Sequence, residues 1–187
     1  MATCKLQKNL TKGDNCGYSL PEVKDIYVAN FIDITAAPVA YDCSTGVSIS
    51  GITAATTADT FYHIEPAKNS VTFTDELVVE DNGNKYRTHT ITFNLSGKYD
   101  KDMVCPVDAL ALGRFFVVVV TADGEWLALG RNTGLEASAQ SIAGGGDTNG
   151  VTVTLSANVT ESATPQLFVT PWTIESTEFS RPEYWSG

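Results

Sequence analysis

Phe115-Phe116-Val117-Val118-Val119-Val120 constrains this chain more than any other stretch. Alternate side chains of a strand point to opposite faces, and here both faces are apolar and mostly β-branched. The run therefore predicts a strand covered on both sides, the central strand of the fold. Asp123-Gly124 predicts a turn into Trp126-Leu127-Ala128-Leu129 and a hairpin with a second strand, Val151–Leu155, where Val and Leu alternate with Thr.

More strands follow from the same period of two. Val23–Ile34 predicts one strand, or two around a bulge, and Ala36-Ala37-Pro38 breaks it. Val47–Ile52 alternates as a half-buried strand, Thr53–Thr60 reads as a loop, and Phe61–Glu65 is a strand ended by Pro66. Val71–Glu80 and Tyr86–Ser96 flank Asp81-Asn82-Gly83-Asn84, a hairpin signal because Asn and Gly tolerate positive φ. On the second of these strands Thr88, Thr90 and Thr92 share one face. His89 falls on the other face with Ile91, Phe93 and Leu95, as a core or interface histidine with a hydrogen-bond partner rather than a catalytic base. Gln166–Val169 is a last short strand between two prolines. The one helix predicted is Pro106–Leu112, with Pro106 in its first turn, Asp108 near the positive end and Gly113 as terminator.

Between Gly130 and Gly150 the sequence is rich in Gly, Ser, Ala and Asn. A connection this long is uncommon in a compact domain and usually functional, so residues 130–150 are expected to form a long loop or arm. Residues 1–22 hold no lasting periodicity and are read as an N-terminal arm that docks on something or stays loose until it does. The tail, 172–187, carries Trp172, Phe179, Tyr184 and Trp185, to be covered by a neighbouring molecule or by the chain's own domain. Residues 23–171 form the β-domain between them.

At 187 residues the chain suits one domain with a sizeable core. It has no apolar run of eighteen residues, and Met1–Leu6 lacks the basic-then-apolar pattern of a secretory signal; the expectation is folding in a cytoplasm, with no membrane partner. The formal net charge is −10. Fourteen acids and ten bases precede Thr121, whereas eight acids and only Arg131 and Arg181 follow, and no lysine occurs after Lys101. Such a surface repels nucleic acid, because tight binding needs cations that displace counterions from phosphate. It serves solubility, or it forms a surface that nucleic acid slides past. Lys5, Lys8 and Lys12 are the main cationic cluster, either solvated or matched to acids on another subunit.

Cys4, Cys16, Cys43 and Cys105 include no CxxC pair, and Cys4 with Cys16 is the one combination worth testing for a metal. Gly144-Gly145-Gly146 precedes a strand rather than a helix, so it lacks the dipole a phosphate cradle uses. Gly146–Gly150 lacks the downstream glutamate of a calcium loop. Neither Walker, Rossmann, nucleophile-elbow nor zinc-protease patterns occur, and neither cofactor nor catalysis is expected.

Trp126-Leu127-Ala128-Leu129-Gly130-Arg131-Asn132-Thr133-Gly134-Leu135, the Gly/Ser segment after it, and Gly146-Asp147-Thr148-Asn149-Gly150 leading into Val151–Leu155 resemble the tail tube (major tail) proteins of tailed bacteriophages, of the type in phages of Bacteroidetes. Cys4, Cys16-Gly17 and Asp25–Asn30 add to the likeness, which spans most of the chain. The resemblance implies a β-sandwich or barrel-like domain with one short helix and a long extended loop. It implies a structural subunit without catalytic residues that forms stacked hexameric rings, with DNA and the tape measure protein passing non-specifically along the lumen. Other tail proteins would be its further partners, and the virion tail, assembled in the bacterial host cytoplasm, its location. On this reading Thr133–Asn149 is the arm that reaches a neighbour. Arg131, Asn132, Gly134, Leu135, Gly146, Asp147, Asn149, Lys5, Lys8, Lys12 and Trp185 are the expected inter-subunit contacts. A tail terminator or baseplate ring is a related alternative. A monomeric carbohydrate-binding or adhesin-like module, with Trp126, Trp172 and Trp185 as stacking platforms, is an alternative of another class.

Overall fold

A computed structural model describes residues 22–36, 39–42, 46–49, 53–54, 61–95, 101–144, 150–157 and 167–169. Side chains are described for all of these except 33–48, 53–54, 101 and 167–169. Among the described residues the fold is mainly β with a single short α-helix. The Phe-Val run is strand β9 (Arg114–Thr121), buried without interruption from Phe115 to Val120. Phe115, Val117 and Val119 enter one core cluster and Phe116 and Val118 enter another, so the strand is covered on both faces.

One edge of β9 pairs with β1 (Val23–Asn30), which carries β6 (Tyr62–Ile64) on its far side. A register shift between Val23 and Asp25 is the bulge that brings Val23 and Ile26 to the same core. The opposite edge of β9 is shared by two strands. β10 (Trp126–Leu129) takes Val117–Val120, and β11 (Leu135–Ala143) takes Arg114 and Phe115. The sheet therefore forks. One branch runs through β10 to β13 (Leu167–Val169), β4 (Gly46–Ile49) and β3 (Val39–Asp42); the other runs β11, β12 (Gly150–Ser156), β8 (Lys85–Leu95) and β7 (Thr72–Val79). Only β13 and β4 run parallel among the described pairs. Residues 31–33 form a 3-10 turn, after which β2 (Ile34–Ala36) pairs with β5 (Thr53–Ala54) in a sheet of its own.

The second branch packs on β1, β9 and β10 as in a sandwich. Ile91 and Phe93 of β8 and Val151, Val153 and Leu155 of β12 share one cluster with Ile26, Val28, Val117, Val119 and Leu129. Helix α1 (Lys101–Leu112) closes this core through Val107 and Leu110, with Met103 packed beside them, residues spaced three and four apart on one face.

The helix starts earlier than Pro106. The proline sits in the second turn, where it removes a single backbone hydrogen bond, and Asp102 is the acid of the first turn. Gly113 does end it, and the Phe115 ring occupies the space a side chain there would need. The hairpin forms with Gly83 at φ +84°; Gly83 N–H donates to Glu80 O (2.8 Å) and Glu80 N–H to Asn84 O (2.9 Å), so Asp81, Asn82 and Gly83 make a three-residue loop with the glycine in the left-handed position. β10 does not pair with β12: its neighbours are β9 and β13, and those of β12 are β11 and β8. Thr53–Ala54, expected in a loop, is a short strand.

The largest correction concerns 130–150. Residues Leu135–Ala143 are not a loop but a nine-residue strand, and Gly130–Gly134 is a tight turn closed by Gly134 N–H donating to Gly130 O (2.9 Å). Both glycines hold positive φ, +69° and +74°. Ser, Ala and Gln suit an edge strand whose outer side chains need no core, which is why composition alone suggested a loop. Residues 145–149 lie outside the described residues.

Candidate functional site

Strands β7, β8, β12 and β11 form a four-stranded antiparallel layer with one face in the core. The registers place on its other face Thr72, Thr74, Glu76 and Val78 of β7, Tyr86, Thr88, Thr90, Thr92 and Asn94 of β8, Thr152, Thr154 and Ser156 of β12, and Glu136, Ala139 and Ser141 of β11. Residues on the two middle strands are half-buried and those at the margins are mostly exposed. Hydroxyls link the strands: Thr92 Oγ1 and Thr154 Oγ1 are 3.0 Å apart, and Asn94 Nδ2 donates to Thr152 Oγ1 at 2.8 Å. Such cross-strand pairs contribute about 0.2–1 kcal/mol each.

Among the described residues the four strands place no lysine or arginine on this face; Arg114 of β9, opposite Glu136 in the register and about half exposed, lies on the same side at its margin. The acids of the face are Glu76, which is exposed, and Glu136, which accepts a hydrogen bond from Arg114 Nε at 2.7 Å beside the layer. A hydroxyl surface whose one bordering arginine is held by Glu136 offers phosphate little counterion-releasing contact.

Polar groups behind the layer hold it to the rest of the fold. His89 is 2% exposed, and its Nδ1 accepts the Gly130 N–H at 3.1 Å. A ring nitrogen that accepts cannot carry the proton, so Nε2 carries it, facing Asp75 Oδ1 at 3.6 Å. Both Asp75 oxygens accept from Arg87, at 2.6 and 2.7 Å, and that hydrogen bond is the main reason the guanidinium pKa is raised above its ordinary value. His89 is thus a core histidine with a hydrogen-bond partner, as its apolar register predicts. The other histidine, His63, stacks on Tyr27 (centroids 5.0 Å) and its Nε2 lies 2.8 Å from Asp25 Oδ1.

Four of the expected contact residues, Arg131, Asn132, Gly134 and Leu135, are among the described residues. Leu135 is fully buried in its own core and Gly134 is buried in the turn against Arg114 and Phe31, so neither meets a neighbour; Asn132 is exposed and Arg131 half-buried. Gly146, Asp147, Asn149, Lys5, Lys8, Lys12 and Trp185 lie outside the described residues, as do Cys4, Cys16 and Trp172. Cys105 is a free, exposed thiol on α1. The Trp126 ring lies parallel to Tyr27 (5.4 Å, 8°), which occupies one of its π-faces.

Besides Leu112 at the end of α1 and Ile32 after β1, exposed apolar residues lie at the layer's margins. Leu77 and Val79 on β7 are 54% and 56% exposed, and Ile142 on β11 is 53% exposed. Leu77-Val78-Val79 was the available signal: three consecutive apolar residues in a strand put at least one on each face, and near a hairpin turn one face lacks cover.

No family model, no curated protein and no solved structure matches this chain.

Proposed function

We propose that the chain is a structural subunit of a bacteriophage tail tube. Copies assemble into stacked hexameric rings, and the hydroxyl face of β7, β8, β12 and β11 turns toward a lumen through which DNA passes. The observation that carries this reading is the face itself: seven threonines, an asparagine and serines, with carboxylates and no cation on the described residues of the four strands, Arg114 at the margin being paired with Glu136. A wall for a moving polyanion must be wettable and must not grip, and neutral hydroxyls beside a few acids meet both needs. The net charge of −10 and the resemblance of Trp126–Leu155 to tail tube proteins support the same reading.

On this reading the subunit has no catalytic role and no cofactor. Its partners are other copies of itself, the tape measure protein and DNA as non-specific occupants of the lumen, and further tail proteins. It is located in the virion tail after assembly in the host cytoplasm. Electron microscopy of the purified protein and of virions tests the proposal. Rings or tubes, and the protein in the tail, are expected; a protein that stays monomeric at high concentration and is missing from tails contradicts it.

A further inference from the structure

His89 is the one fully buried ionisable side chain among the described residues, and it joins two parts of the fold. From β8 its Nδ1 accepts the N–H of Gly130, where β10 has ended and the tight turn into β11 begins. That turn lies at the fork of the sheet, since β10 and β11 share one edge of β9. The bond therefore ties the β7–β8 hairpin to the point where the two branches part.

We propose that His89 is an acid-sensitive latch: the neutral ring holds the Gly130–Gly134 turn against β8, and a protonated ring releases it. The reason is where the second proton must go. In the neutral ring Nε2 carries the proton, and the lone pair on Nδ1 receives the Gly130 N–H. A further proton enters at Nδ1, so that one N–H then faces another. The hydrogen bond is lost, and the Gly130 donor is left without its acceptor beside a side chain only 2% exposed.

The charges around the ring do not offset this loss. Asp75, opposite His89 on β7, is the acid that faces it, 3.6 Å from Nε2. Both oxygens of Asp75 already accept from Arg87, which shares the face of β8 on which His89 lies. The turn side brings cations: Arg131 follows Gly130, and Arg114, held by Glu136, packs where a Gly134 side chain would be. β10, β12 and β9 from Phe115 onward carry no charged residue. A charged ring would thus set a second cation on one carboxylate in a buried place, and desolvation disfavours that form.

A ring held neutral in the fold and free to take a proton when unfolded contributes stability above the ordinary histidine range. That contribution is lost as pH falls through the range. The opening is local, because Phe115–Val120 are buried on both faces by apolar residues that acid does not change.

The device works within one chain, so its test does not depend on assembly. Amide hydrogen exchange is followed by mass spectrometry at about pH 7.5 and about pH 5, corrected for the intrinsic rate, on peptides covering 130–135 and 115–120. In the native chain the turn should exchange about tenfold faster at the lower pH, the change expected for one lost hydrogen bond, while 115–120 should not change. His63→Gln should keep the effect and leaves His89 as the only histidine; His63 lies on β6, across the other edge of β9. His89→Gln, whose amide oxygen still accepts from Gly130, should abolish it. Equal protection of the turn at both pH values overturns the latch, as does an effect that vanishes in His63→Gln, persists in His89→Gln or reaches 115–120 equally. Should His89→Gln not fold, the native chain and His63→Gln decide between these outcomes.

Discussion

At the scale of single residues, the β-layer is held by a few polar groups whose geometry leaves little freedom. Asp75 accepts both hydrogen bonds of Arg87 and faces His89, which in turn accepts from Gly130 at the start of the tight turn. Arg87→Met should destabilise the fold by about 1–3 kcal/mol in urea unfolding, because Asp75 is only 11% exposed and would lose its partner. The pair itself adds no pH dependence near neutrality. A base whose folded pKa is raised contributes fully below its unfolded pKa and loses that contribution only as pH rises through the higher folded value, far into alkali. Gly134→Ala should cost roughly 1–3 kcal/mol, since φ is +74° and Arg114 and Phe31 crowd the position where a Cβ would sit. His89 was legible as a core residue from its place beside Ile91 and Phe93. Its link to Gly130 was not, because nothing in the sequence shows which turn will lie across from a strand forty residues away.

At the scale of elements, strands with a two-sided apolar signal or clean alternation were legible. β9 follows from Phe115–Val120, and the β7–β8 hairpin from the runs around Asn82-Gly83. β11 was not legible, because Ala, Ser and Gln carry little strand propensity and the strand is stabilised by its pairing with β12 and β9. Removing 133–149 would therefore take out a strand rather than a free arm, and the chain should lose its cooperative unfolding transition as well as assembly. Phe116→Ala, at the centre of the doubly covered strand, should cost about 3–5 kcal/mol. Leu77→Lys should change monomer stability by no more than about 0.5 kcal/mol, because the side chain is already 54% exposed.

For the whole molecule, the fork at β9 sets one branch two tasks. The β11–β12–β8–β7 branch buries one face in the core with β1, β9, β10 and the helix, and turns its polar face away from it. The threonine face was half legible, since Thr88, Thr90 and Thr92 share a side in the sequence, but its extension across four strands depends on pairings that only the fold supplies. If the face lets DNA pass because it lacks cations, adding them should make it grip. Assemblies carrying Thr72→Lys and Thr74→Lys should retain duplex DNA at about 50 mM salt and release it as salt rises, whereas the unmodified protein should retain none.

The most direct test of the central claim is electron cryo-microscopy of the purified, concentrated protein. The account predicts rings or stacked rings with an open channel, and the Thr90–Thr92–Thr154 surface lining that channel. Monomers at every concentration, or rings that turn this surface outward, would contradict it.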